Sequence, residues 1–296
     1  MPFCGYSGFV FAVLAGDIYG LVVEQRSLRG RTLFITGASR GIGLAIALRA
    51  ARDGANVAVV AKTVTPHPRL PGTIYTAAEQ IEQAGGKVLP LVVDIRSDEQ
   101  VERAVAECVS TFGGIDVLIN NASAIQLTRA DVTELKRFDL MQQVNVRGTF
   151  LCSKLCLPHL VRRDNPHVLT LAPPISMDPR WFGQHTAYTV SKFAMGMTSF
   201  GLAAEWKDAG VAFNCLWPRT IIRTAALNLI PGVDQSRCRT PEIVADAAHV
   251  VLTRDAKNFT GRFCIDEDVL RETGVTDFSG YAVDPGKELL TDLFLE

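Results

Sequence analysis

The feature that most constrains this 296-residue chain is an alternation that begins at Arg31 and holds through residue 265. Short apolar runs, of the kind buried on both faces of a parallel sheet, take turns with longer segments whose apolar residues recur at helical spacing. The runs lie at 32–36, 57–61, 88–93, 117–119, 167–171, 212–216 and 263–265. Between them the spacing predicts helices near 42–52, 76–83, 99–111, 140–162, 187–207 and 241–252. Strand and helix in regular succession build an α/β fold, a single Rossmann-type doubly wound parallel sheet with helices on both faces. No break in composition divides the series, so residues 29–296 are expected to form one domain.

Residues 1–28 stand outside that pattern and read as a poorly ordered N-terminal extension. Met1 to Gly16 carries no charge and includes an apolar run from Phe9 to Ala15, which Asp17 ends. The run is shorter than the ~20 apolar residues a bilayer span needs, and it lacks the basic start of a secretory signal. Neither stable membrane insertion nor a targeting signal is expected. The formal net charge of −1 leaves no electrostatic footprint for nucleic acid. The seven cysteines form no C-x-x-C pair and no cysteine–histidine cluster at zinc-like spacing. That pattern implies no metal site, and reduced thiols in a cytoplasmic or other reducing intracellular compartment.

The first apolar run ends in Thr36-Gly37-Ala38-Ser39-Arg40-Gly41-Ile42-Gly43, and a helical pattern follows at once. Glycines let the backbone turn sharply and approach a pyrophosphate, while the helix N-terminus offers free N–H groups and a positive dipole. A tight turn without a ligand is the bland alternative. The strand before, the helix after and the place at the head of the series favour dinucleotide binding. At the end of the second run an acidic residue would bond the ribose hydroxyl of NAD, whereas a cation accommodates the extra phosphate of NADP. Here Ala61 runs into Lys62 with no acid nearby, and Arg40 can approach the same phosphate. Both cations favour NADP(H). The Pro-rich loop 63–73 should lie beside the adenosine end. Asp94, after the third run, can meet the adenine amino group or serve a helix cap beginning at Ser97. Asn121, after the fourth, can line the cofactor or tie neighbouring strands together.

Tyr188 and Lys192 open a long helical stretch and share one face at i and i+4. A tyrosine titrates near ~10, and an adjacent ammonium lowers that value by stabilising the phenolate. Such a pair can exchange a proton with a substrate oxygen while a nicotinamide exchanges hydride with the adjoining carbon. On its own the spacing is equally that of an ordinary amphipathic helix face.

The motifs together, Thr36-Gly37-x3-Gly41-Ile42-Gly43, Asp94, Asn120-Asn121-Ala122, Asn145 and Tyr188-x3-Lys192, resemble the short-chain dehydrogenase/reductase family. Within it the chain is similar to a hydroxysteroid dehydrogenase-like branch, through Ala61-Lys62-Thr63, the run Gly72 to Ala78, Trp181-Phe182 and Leu216-Trp217-Pro218. The resemblance implies NADP(H) held by the glycine loop, Lys62, Asp94 and Lys192. It implies Tyr188 as proton donor or acceptor, and Asn145 as support for a water relay to Lys192. Two positions depart from the family. Pro173 stands where the catalytic serine belongs after the fifth strand, with Ser176 close by as a substitute, and proline has no donor to offer. Pro218-Arg219 stands where Pro-Gly is usual. His185 can touch substrate or simply open the helix.

The expected function is an NADP(H)-dependent oxidoreductase working on a carbonyl or hydroxyl group of an apolar, lipid-like included, small-molecule substrate. Loss of the serine motivates the alternative, an NADP(H)-binding protein with little turnover, and a subunit of a larger lipid enzyme is a third reading. The helices near 140–162 and 187–207 carry apolar residues on more than one face, which by analogy implies a homodimer or homotetramer.

Overall fold

The structure, a computed structural model, describes residues 27–68, 70–230 and 232–296, so the expected extension falls almost wholly outside it. Leu28, within that range, is already buried in the core, and its amide donates to the Asp53 carboxylate at 2.7 Å. Each apolar run forms a strand: β1 (Thr32–Thr36), β2 (Asn56–Ala61), β3 (Lys87–Val92), β4 (Val117–Asn120), β5 (His167–Thr170), β6 (Ala212–Trp217) and β7 (Phe263–Ile265). They lie in the order β3-β2-β1-β4-β5-β6-β7, every pair parallel. The chain therefore winds outward from β1 in one direction and from β4 in the other. The crevice between β1 and β4, at the carboxyl ends of the strands, is where such sheets bind ligands.

The helices are α1 (Gly41–Arg52), α2 (Ile74–Gln83), α3 (Asp98–Phe112), α4 (Leu135–Met141), α5 (Gly148–Leu160), α6 (Thr186–Glu205), α7 (Glu242–Leu252) and α8 (Asp266–Arg271). Alternate strand residues serve opposite layers. Leu33, Ile35, Val57 and Val59 pack toward α1 and α7, whereas Phe34, Ala58 and Val60 pack toward α3 and α5. Both faces are covered, which is why these strands read as unbroken apolar runs. Pro90 interrupts β3, an edge strand, where a missing amide leaves no ladder bond unmade on the open side.

The single helix expected at 140–162 begins earlier and is not uniform. Between α4 and α5 the chain makes a π-helical turn over Gln142–Arg147. Such a bulge re-aims side chains and commonly marks functional positions. Asn145 sits in it, fully buried. Among the described residues no helix is long and apolar enough to cross a membrane, and no cluster of histidine, cysteine and acidic residues could hold a metal ion.

Candidate active site

The glycine loop is closed by contacts that only glycine permits. Gly37 has φ +69°, and a Cβ there would meet the Ala122 backbone at 2.9 Å. A Cβ on Gly43 would meet Asn121 Nδ2 at 2.5 Å. Asn121 itself donates through Nδ2 to the Thr36 and Gly37 carbonyls at 2.9 and 3.1 Å. Of its two expected roles, the structure shows it tying β4 to the loop. Ala38 and Ser39 are buried behind the turn, and Gly41 and Ile42 begin α1. Among the described residues no side chain caps α1, so its first-turn amides are left to an anion, and the cradle fits a pyrophosphate.

Arg40 reaches away from the loop and donates to the Gly72 carbonyl at 3.1 Å, pinning the Pro-rich segment across the glycine turn. Its Nε is buried with no partner among the described residues. Lys62 is exposed just past β2. Asp94 is more committed than its sequence position suggested. Arg96 grips its carboxylate, with Nε at 2.9 Å from Oδ1, and this hydrogen bonding holds Asp94 below the usual carboxylate range. The nearby cap is a separate device, in which Ser97 accepts from the Gln100 amide. Adenine would have to share Asp94 with Arg96.

Tyr188 and Lys192 lie together in the first turns of α6, 5% and 2% exposed. Lys192 Nζ donates to the Leu171 carbonyl just beyond β5 at 2.5 Å and lies 5.0 Å from the centre of the Trp217 ring. Asn145 holds this corner in place. It bonds the Ala124 backbone through both ends of its amide, and its Nδ2 donates to Ser191 Oγ at 2.9 Å. Ser191 in turn donates to the Tyr188 carbonyl at 2.8 Å. Ser191 escaped the sequence reading because nothing in a helical period distinguishes a serine that bonds a distant loop.

The electrostatics run against the sequence expectation for the tyrosine. Burial, with Asp292 nearby, raises Tyr188 above its ordinary value, and burial lowers Lys192 to about 7. Desolvation disfavours the charged form of each group, which moves the two values in the directions opposite to those that charge pairing would give. Pro173 is buried, and Ser176 uses its hydroxyl to accept from the Asp178 amide at 3.2 Å. His185 caps the start of α6 and also faces the tyrosine, its ring 6.3 Å from that of Tyr188.

Much of the burial comes from residues 290–296, which the alternation gave no reason to place here. The Asp292 amide donates to the Arg219 carbonyl at 3.0 Å, and the Ile221 amide donates to the Leu290 carbonyl at 2.9 Å. Trp217 Nε1 donates to the Leu293 carbonyl at 2.9 Å. The Phe294 ring then sits 6.2 Å from Tyr188, 5.9 Å from Trp217 and 5.2 Å from Phe193. Arg219, in place of the family glycine, turns its guanidinium to Asp268 on α8 and leaves its backbone to carry this strap.

A parallel sheet with a glycine cradle at its switch point, and a tyrosine–lysine pair at its carboxyl edge, defines a nucleotide-dependent oxidoreductase scaffold. Residues 31–230 match the short chain dehydrogenase family, and the chain belongs to it. It is 54% identical over 270 residues to hydroxysteroid dehydrogenase-like protein 2 of Danio rerio, covering 91% of this chain and 65% of that protein. The chain thus spans about two thirds of the length of the curated relatives it matches. A crystal structure from Xanthomonas campestris is 62% identical with a TM-score of 0.89, covering 91% of this chain and 99% of that one. L-sorbose reductase from Gluconobacter frateurii, solved with NADPH and L-sorbose, is 26% identical with a TM-score of 0.70, covering 81% and 96% of the two chains.

Proposed function

We propose that the chain is an NADP(H)-dependent oxidoreductase that interconverts a ketone and an alcohol on an apolar, lipid-like included, substrate. The observation that carries this reading is the Tyr188–Lys192 pair, fixed at the carboxyl edge of β5 by the Leu171 carbonyl and by the Asn145–Ser191 chain. Gly37 through Gly43 and the uncapped end of α1 would hold the pyrophosphate. Lys62 and Arg40, with its spare Nε, would receive the additional phosphate of NADP. Asp94 is assigned to the adenine side and Lys192 to the nicotinamide ribose.

When bound, the nicotinamide gives or takes a hydride at the substrate carbon. In reduction the Tyr188 hydroxyl passes its proton to the substrate oxygen, and the Lys192 ammonium stabilises the phenolate that remains. In oxidation the phenolate recovers that proton from the alcohol. Asn145 keeps Ser191, and so the Tyr188 backbone, in register for both directions. Pro173 supplies no donor, so Tyr188 polarises the substrate oxygen without a serine at that position; Ser176, whose oxygen accepts from the Asp178 amide, keeps its hydroxyl hydrogen and is the nearby substitute. The aromatic lining favours an apolar substrate, and the name of the Danio rerio relative is in keeping with that class. The chain is further proposed to form a homodimer or homotetramer.

The test is NADPH consumption with a panel of apolar ketones and ketoacyl thioesters, in the wild type and in Tyr188→Phe. The variant should lose about 10³-fold in turnover, the middle of the range for a positioned acid, with NADPH fluorescence titration unchanged and tighter than that of NADH. Retained turnover in Tyr188→Phe would overturn the assignment. A wild type inert across the panel yet binding NADPH would favour the alternative, a binding protein with little turnover.

A further inference from the structure

Tyr188 can meet a substrate oxygen only if something vacates the space above it. The cover is the strap 290–296, and two of its residues sit uneasily. Phe294 is the one non-glycine residue with positive φ among the described residues, at +73°, a left-handed conformation that is strained for a side chain of this size. Asp292 is half-buried, with Lys192 and Asp266 near enough to act on its charge, and loss of water raises it to about 7. Against these costs stand a few backbone hydrogen bonds, the ion pair between Arg180 and Glu296 and the docking of one aromatic ring. The ring occupies a box walled by Trp181, His185, Tyr188, Phe193 and Trp217. Those walls stand on α6 and on His185 just before it, on β6 and on the short 3-10 turn Pro179–Trp181; their backbones are bonded within those elements, while the Trp217 indole also donates to the Leu293 carbonyl of the strap. The walls on α6 and on the 3-10 turn therefore remain when the ring leaves, and an apolar ring of similar size is what fits between them beside the Tyr188 ring.

We propose that this aromatic box is the substrate's apolar subsite, that Phe294 fills it in the resting chain, and that a carbonyl compound bearing a ring-sized apolar group enters by displacing Phe294. The inference rests on Tyr188 being the proton-transferring group, and it adds the substrate class and the group that competes for it. Phe294 acts as an internal competitor. The apparent affinity for substrate is the intrinsic affinity scaled by the fraction of chains with the strap open.

The experiment measures hydrogen exchange of residues 290–296 in the full chain at saturating NADPH, alone and with acetophenone, cyclohexyl methyl ketone or dihydroxyacetone. Ligand Kd is measured alongside by tryptophan fluorescence, since Trp181 and Trp217 line the box. The ring ketones should speed exchange in 290–296, and dihydroxyacetone should not. Removing the competitor in Phe294→Ala should tighten ring-ketone binding about tenfold, as expected if roughly a tenth of chains are open. Glu296→Gln, which only loosens the latch to Arg180, should shift Kd the same way by less, and it covers the case in which Phe294→Ala folds poorly. Ring ketones that fail to bind, or that bind with the strap still protected and Kd unchanged in both variants, would overturn the subsite. Strap displacement without any turnover would leave the subsite standing and count against hydride transfer instead.

Discussion

His167, the first residue of β5, is 1% exposed, and its Nε2 lies 3.0 Å from the Arg254 carbonyl. The acceptor fixes the tautomer, so Nε2 carries the hydrogen and Nδ1 keeps a lone pair. That Nδ1 is buried with no partner, so a second proton would arrive in a place that cannot solvate it. Burial lowers the imidazole to about 4 despite the Arg254 carbonyl. A base lowered on folding contributes stability that is complete above its unfolded value near ~6.5 and drains away as pH falls toward the folded value. Between about pH 6.5 and 4 the loss should be on the order of 3 kcal/mol from this residue alone. In His167→Gln, which keeps a donor for the Arg254 carbonyl, urea midpoints should fall less steeply over that range than in the wild type. Equal slopes would mean that His167 is not the group responsible. The same rule governs Tyr188 and Lys192, where burial rather than charge pairing sets the direction of both shifts.

Among the elements, the junction of β1 and α1 is the least forgiving. A methyl group on Gly43 would press on Asn121 Nδ2, which is held by two carbonyls of the loop and cannot step aside. Gly43→Ala should therefore cost ~1–3 kcal/mol through overpacking, and it should weaken NADPH binding as the turn opens. Urea unfolding and fluorescence titration check both, and a variant normal in each would refute the close packing. This junction was legible in the sequence because glycine, strand and helix signals coincide there. The strands were legible for a related reason: a strand buried on both faces writes a continuous apolar run, as β1 does from Thr32 to Thr36. The π turn at Asn145 was hidden, since one extra residue in a helix leaves the apolar spacing on either side nearly intact. The strap was hidden more completely. Leu290, Asp292 and Phe294 gain their places from the backbone of 219–221 and from rings on α6, partners far away in sequence with no periodic signature. Asp94 fell between these cases, its position at the end of β3 readable and its capture by Arg96 not.

For the molecule as a whole, the open question is what covers α5 and α6. Val190, Met197 and Phe200 on α6 are 41%, 60% and 57% exposed, and Phe150 on α5 is 51% exposed. Val190 and Met197 stand seven residues apart and Phe200 three beyond, so they form one stripe along the helix, opposite the buried Met195 and Leu202. Leaving such a stripe in water forgoes ~25 cal/mol for each Å² of apolar surface that could be buried. A two-fold axis beside α6 would lay the stripe on its own copy, a self-complementary arrangement that needs no second binding surface. The proposed homo-oligomer should then run as a dimer or tetramer in size-exclusion chromatography with light scattering. Met197→Glu combined with Phe200→Glu would bring four carboxylates together across the axis. That charge should weaken association by about 100-fold or more, since like charges juxtaposed at an interface cost several kcal/mol. Both substitutions are on solvent-facing positions of the chain, so far-ultraviolet circular dichroism and NADPH affinity should stay as in the wild type. A wild-type chain that is monomeric at micromolar concentration would refute the two-fold packing, and a double variant that keeps the parental mass would move the interface to another face.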